Sequence, residues 1–209
     1  CRWGGAGAST PSVTDPNPPA RTTGRTADGQ GSYANEKVTP GVRVPDWFWD
    51  ARDITCPTLF DLAKEQGLTT AAVGWPVTGW SPSLDIAVPE IWDRAGLEPT
   101  LDVLREASSP RGREYVDRHA GEIGWDRKHR FGRFNTAVAV HILRTDAPDV
   151  PFLHPVDVHS ARHATPPFPR AVPAASERVA RSPGRLPAAP PAAPTAPAPD
   201  LPTVPPPRP

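Results

Sequence analysis

The chain has 209 residues, with 23 Lys and Arg against 23 Asp and Glu and therefore no formal net charge. That balance excludes a strong field drawing it to nucleic acid, an anionic membrane surface or an acidic partner. No apolar run is long enough to span a bilayer, and the two cysteines, Cys1 and Cys56, are too few for a disulfide framework.

The length suits one ordinary α/β domain, but proline supplies 31 residues, and 16 of these fall within positions 166–209. A stretch of that composition cannot bury enough apolar surface to fold, so it is expected to be a disordered Pro/Ala/Arg-rich tail. Two readings fit it equally: a flexible tail, or a shifted reading frame. Methionine is absent throughout, and the chain is expected to begin inside a longer reading frame.

In chain order, residues 1–41 are rich in Gly, Ser, Thr and Pro with almost no apolar periodicity, and on their own read as a loop or disordered lead-in. The foldable part is expected from Val42 to Asp157, opening with the large apolar side chains of Val42, Val44, Trp47, Phe48 and Trp49. Leu59, Phe60, Leu62 and Ala63 recur at helical spacing, with Thr55 as cap, Pro57 in the first turn and Gly67 as the stop. Leu68 to Val73 then reads as a short buried strand, completing half of a βαβ unit.

Further on, Leu97–Ala107 has a helical pattern, and Arg127–Arg144 a longer one with Phe131, Phe134, Val138 and Ile142 along one face. Asp146 to Asp149 makes a turn, and Val150 to Val158 alternates as a strand does. Pro151 and Pro155 each remove a ladder donor there, which a central parallel strand accommodates badly.

One segment carries chemistry. The chain reads Pro11-Ser12-Val13-Thr14-Asp15-Pro16-Asn17, then Thr23-Gly24, then Gly31-Ser32-Tyr33-Ala34-Asn35. In order and spacing this resembles the nucleophile motif of the type I phosphodiesterase/nucleotide pyrophosphatase family, in the alkaline phosphatase superfamily. The resemblance continues through Pro57 to Val77 and through Val88-Pro89-Glu90-Ile91-Trp92, and reaches Asp157-Val158-His159-Ser160-Ala161-Arg162-His163, where the family has a zinc-binding Asp-x-x-x-His pair.

It implies an α/β fold with a mostly parallel sheet flanked by helices, present here as a truncated catalytic domain over residues 1–165, followed by the tail over 166–209. It implies two zinc ions, Thr14 as a metal-bound nucleophile, Asn35 as donor to a phosphoryl oxygen, and Asp157, His159 and His163 among the metal ligands. The expected substrate is a phosphate ester or nucleotide, with its ester class open.

Several positions depart from the family pattern. Pro18 and Gln30 stand where the family usually has histidine, His159 stands at the aspartate position of the zinc pair, and residues 1–13 hold no Asp, Glu or His to serve as the first metal aspartate. The chain is therefore expected to bind zinc weakly and to be inactive.

Taken singly, Thr14 reads as a loop threonine, Asn35 as a turn residue, and His154, His159 and His163 as exposed loop histidines. Trp47, Trp49, Trp75 and Trp92 read as a sugar- or base-stacking set or, by default, as packing. Arg127, Lys128, His129 and Arg130 read as a solvated basic face. A second reading of the whole is a non-enzymatic secreted or surface protein with a Trp-rich binding segment and a Pro-rich spacer. A third is a small metal module on His154, Asp157, His159 and His163. Compartment and oligomeric state stay open.

Overall fold

A computed structural model describes residues 10–43, 45–124 and 131–156. Its centre is a three-stranded parallel sheet in the order β2-β1-β3, with β1 at Thr70–Trp75, β2 at Ile86–Pro89 and β3 at Val150–Leu153. All six residues of β1 and all four of β2 are buried, as a sheet covered on both faces requires.

The alternation of side chains along the strands sorts the core into two layers. Ala71, Val73, Ile86 and Val88 face α4 (Leu97–Ala107), α5 (Pro110–His119) and α6 (Gly132–Thr145), meeting Leu104, Val116, Phe134, Val138 and Ile142. Ala72 and Ala87 face the other way, toward Phe60 of α3 (Leu59–Glu65).

Gly74 breaks this alternation. Its φ is +60°, and the pairing register slips between Val73 and Trp75, so Trp75 lies with the Ala72 layer, its ring edge-on to Phe152 at 4.9 Å. A side chain at 74 would also overlap the Asn135 amide, which donates to the His154 carbonyl at 3.1 Å. A second glycine is set by close approach: a Cβ on Gly112 would run into the Ala87 carbonyl, so α5 lies directly against β2.

Helix ends follow their local chemistry. Thr58, not Thr55, caps α3, forming a reciprocal capping box with Asp61; Pro57 stands just outside the helix. The first strand begins at Thr70, two residues later than expected, because Leu68 is exposed and Thr69 is tied instead to Asp149 through its amide and hydroxyl, at 2.8 and 2.7 Å. Helix α4 spans the expected residues; α6 starts at Gly132, and residues 127–130 of the expected helix lie outside the described residues.

Helix α5 was not expected. Its sequence signal is Ser109-Pro110, a cap followed by a first-turn proline, with the Ser109 hydroxyl accepting from the Gly112 amide at 3.1 Å. Strand β3 is shorter than expected and is an edge strand of the described sheet. The amides of Val150 and His154 donate to Thr69 and Val73, so at alternate spacing the Pro151 nitrogen points away from β1 and no ladder bond is lost.

The fold starts well before Val42, which corrects the expected boundary. Helix α1 covers Asn17–Thr23 and α2 covers Ala27–Gln30, and Asp15, Gln30 and Ser32 are buried. Among the described residues no helix is long and apolar enough to cross a membrane.

Gly74→Ala should destabilise the chain by on the order of 2–3 kcal/mol, read from urea unfolding midpoints, because it adds both backbone strain and overlap with Asn135. The ring of His119 meets His141 at the α5–α6 contact. Burial, then the charges of His141 and Arg118, hold its pKa below the usual value, against an opposing pull from Glu122. The unfolded chain therefore takes up the proton first as pH falls through about 6.5, and native stability is lost on the acid side. The drop in unfolding midpoint between pH about 7.5 and about 5.5 should be smaller in His119→Gln than in the parent chain.

Candidate functional site

The site is built where the three parallel strands end at their carboxyl edge, the usual place for ligands in α/β sheets. Gly74 and Trp75 end β1, Glu90 follows β2, and His154 follows β3. The loop from Pro11 to Pro16 reaches this edge, where Asp15 feels the charge of Glu90, and the turn around Asn35 is bonded to that loop.

Side-chain amides hold that loop. Asn17 Nδ2 donates to the Val13 carbonyl at 2.8 Å and to the Pro11 carbonyl at 3.2 Å, looping the chain around Thr14. Gln30 is fully buried and joins the two halves of the segment: its Nε2 donates to the carbonyls of Pro16 and Ser32 at 3.2 and 2.8 Å, and its Oε1 accepts from the Ser32 amide at 3.1 Å. The Gln30 carbonyl in turn accepts from the Thr55 amide at 3.0 Å. A buried backbone that cannot form a ladder is satisfied here by one side chain.

Asn35 Oδ1 accepts from the Asp15 amide at 2.9 Å, so Thr14 and Asn35, twenty-one positions apart in the chain, are separated in space by one residue and one hydrogen bond. The Asn35 carbonyl accepts from Phe48 at 3.1 Å, which anchors the turn to the aromatic segment. Asp157, His159 and His163 lie outside the described residues.

The structure adds three ionisable groups to Thr14 and Asn35. Asp15 is only 1% exposed and its Oδ2 has no hydrogen-bond partner. Burial, reinforced by the charge of Glu90 and opposed by the Phe48 amide, pushes its carboxyl up to about 8, so at neutral pH it carries a proton. Glu90 Oε2 lies 3.0 Å from His154 Nδ1, which also faces the Gly74 carbonyl at 3.1 Å. Burial works against the His154 cation, but the Glu90 bond and charge together with Gly74 outweigh it, and the imidazole pKa is raised.

His154 is thus a largely buried partner of Glu90, not an exposed loop histidine. The clue available in the sequence was an ionisable residue closing each of two parallel strands, Glu90 after Val88-Pro89 and His154 after Phe152-Leu153. Asp15 gave no such clue, since its burial depends on the loop closing over it.

The tryptophans divide. Trp47 stacks on Trp49 at 5.0 Å, and both meet Trp92 edge-on at 5.3 and 5.7 Å, while Trp75 packs separately in the sheet layer. These rings meet one another, as the packing reading expects, and seat the N-terminal segment on the core.

A sequence profile of the type I phosphodiesterase/nucleotide pyrophosphatase family matches residues 6–190. The chain belongs to that family. It is a family of phosphoric ester hydrolases, generally metal-dependent. A search of curated proteins gave no match.

A metal ion of the kind this family uses needs several nitrogen or oxygen donors converging on one point. Among the described residues no group of three or more His, Cys, Asp or Glu is placed to hold one. Asp15 has a buried, unpartnered oxygen, while Glu90 is already paired with His154. The described donor set does not fit a two-metal centre by itself.

The Gln30 clamp yields a direct check. Gln30→Leu keeps the bulk but leaves the Pro16 and Ser32 carbonyls and the Ser32 amide without this partner. It should lower unfolding free energy by on the order of 2–3 kcal/mol in denaturant titration.

Proposed function

We propose that this chain carries a metal-dependent phosphoric ester hydrolase site in which the Thr14 hydroxyl is the nucleophile and Asn35 steadies the phosphoryl group, and that the site is catalytically silent in the chain as it stands. The substrate class is a phosphate ester or nucleotide. The observation that carries the reading is the bond from the Asp15 amide to Asn35 Oδ1, which joins the two halves of the motif.

That bond has a chemical consequence. With its oxygen engaged by Asp15, the Asn35 amide turns its Nδ2 end away from that contact, and Nδ2 is the end able to donate to a non-bridging phosphoryl oxygen. Thr14 is half-buried, in a loop that the two Asn17 bonds hold. Preorganisation of this kind lowers the cost of orienting a nucleophile.

A bound divalent metal would supply acidification of a hydroxyl and charge stabilisation at phosphorus. The silent part of the reading is supported by the sequence, which has His159 where the family keeps an aspartate and Pro18 and Gln30 where it usually keeps histidine.

The test is hydrolysis of bis(4-nitrophenyl) phosphate and 4-nitrophenyl phosphate by the full chain with added zinc, beside Thr14→Ala. No release of nitrophenolate above the zinc-only blank is expected from either protein. Turnover that disappears in Thr14→Ala would keep the nucleophile and overturn the silence; turnover that survives in Thr14→Ala would overturn the assignment of Thr14.

A further inference from the structure

On the helical face of the sheet, the last residue of α5 meets the middle of α6 through two imidazoles. His119 Nε2 and His141 Nδ1 are 2.9 Å apart, with the rings nearly perpendicular at 87°. At that distance one nitrogen donates its proton to the lone pair of the other, so the pair shares one inward proton. Replacing that proton by a metal ion leaves two lone pairs converging on one point.

The adjustment is a local one, confined to the two rings. Zinc–nitrogen bonds of about 2.0–2.1 Å at a tetrahedral angle place two ligand nitrogens roughly 3.4 Å apart, so the rings must separate by about half an ångström and each tilt by about 35° off the line joining the two nitrogens. Both rings are already oriented: His119 ends α5, and the His141 ring is held edge-on to Tyr115 at 4.9 Å. Tyr115 is itself fixed by a hydrogen bond to Asp146. Both histidines are partly exposed, and a cleft of about 100 Å³ beside His141, bordered by Arg111, Glu114, Tyr115, Arg118 and Thr145, gives room for water on the His141 side. Arg118 opposes a cation here, and the Glu122 carboxylate, bound to Arg133 at 2.6 Å, favours one.

We propose that His119 and His141 form a two-imidazole site for a borderline divalent transition-metal ion of the zinc class, clamping α5 to α6 and separate from the loop that carries Thr14. Separation follows from the course of α6. Asn135 lies at the carboxyl edge of the strands against Gly74 and His154, and His141 is six residues further along the helix, about 9 Å away along its axis. Imidazole nitrogen suits zinc, copper and nickel better than magnesium or calcium, so the site selects by donor type.

The experiment is calorimetric titration of the full chain with zinc chloride, alongside His119→Gln, His141→Ala and Thr14→Ala, with imidazole NMR of the parent chain as a second measurement. Zinc should bind the parent and Thr14→Ala alike, bind each histidine variant at least tenfold more weakly, and shift the ring signals of His119 and His141 together. The proposal is overturned if the parent binds no zinc, if the histidine variants bind as the parent does, or if binding is lost in Thr14→Ala. Should a histidine variant fail to fold, unchanged His119 and His141 ring signals in zinc-saturated parent chain overturn it equally.

Discussion

The arrangement depends on the backbone of Gly74. A φ of +60° at the end of the central strand is open to glycine at little cost and to other residues only with strain. It sends Trp75 into one layer while Val73 stays in the other, lets Asn135 of α6 reach across to the His154 carbonyl, and aims the Gly74 carbonyl at the His154 ring. Strand pairing, helix packing and the Glu90–His154 pair thus meet at one residue without a side chain.

The second constraint is polar. The first thirty described residues have too little apolar surface to fold by burial, and side-chain amides fix their path instead. Asn17, Gln30 and Asn35 each bond to main-chain groups of the same segment. At full burial Gln30 makes three bonds to main-chain atoms. An amide carries donor and acceptor at once and needs no change of charge to satisfy both. The position reads as one given over to holding the loop.

Legibility in the sequence tracked the source of stability. Helix α4 and the buried face of α6 follow from apolar periodicity, since Leu101, Leu104, Phe134, Val138 and Ile142 are core residues at helical spacing. The order of the parallel sheet was legible only as a class, because strand neighbours depend on contacts far apart in sequence. Helix α5 escaped because its charged residues obscure a short buried face of Gly112, Tyr115 and Val116. The N-terminal helices escaped because polar bonds, which leave no periodic trace, hold them. Motif spacing pointed to Thr14 and Asn35, whose neighbourhoods the Asp15–Asn35 bond joins, whereas Asp15 near Glu90 is a product of loop closure that no local pattern encodes.

The aromatic contact among Trp47, Trp49 and Trp92 has a consequence for how the N-terminal segment and the core hold together. Each indole touches the other two, so its contribution is a property of the trio and not of any pair. Removing one ring loosens the remaining contact, and a second removal then has less left to disrupt. At this seam the cost of losing two rings is therefore not the sum of losing each alone.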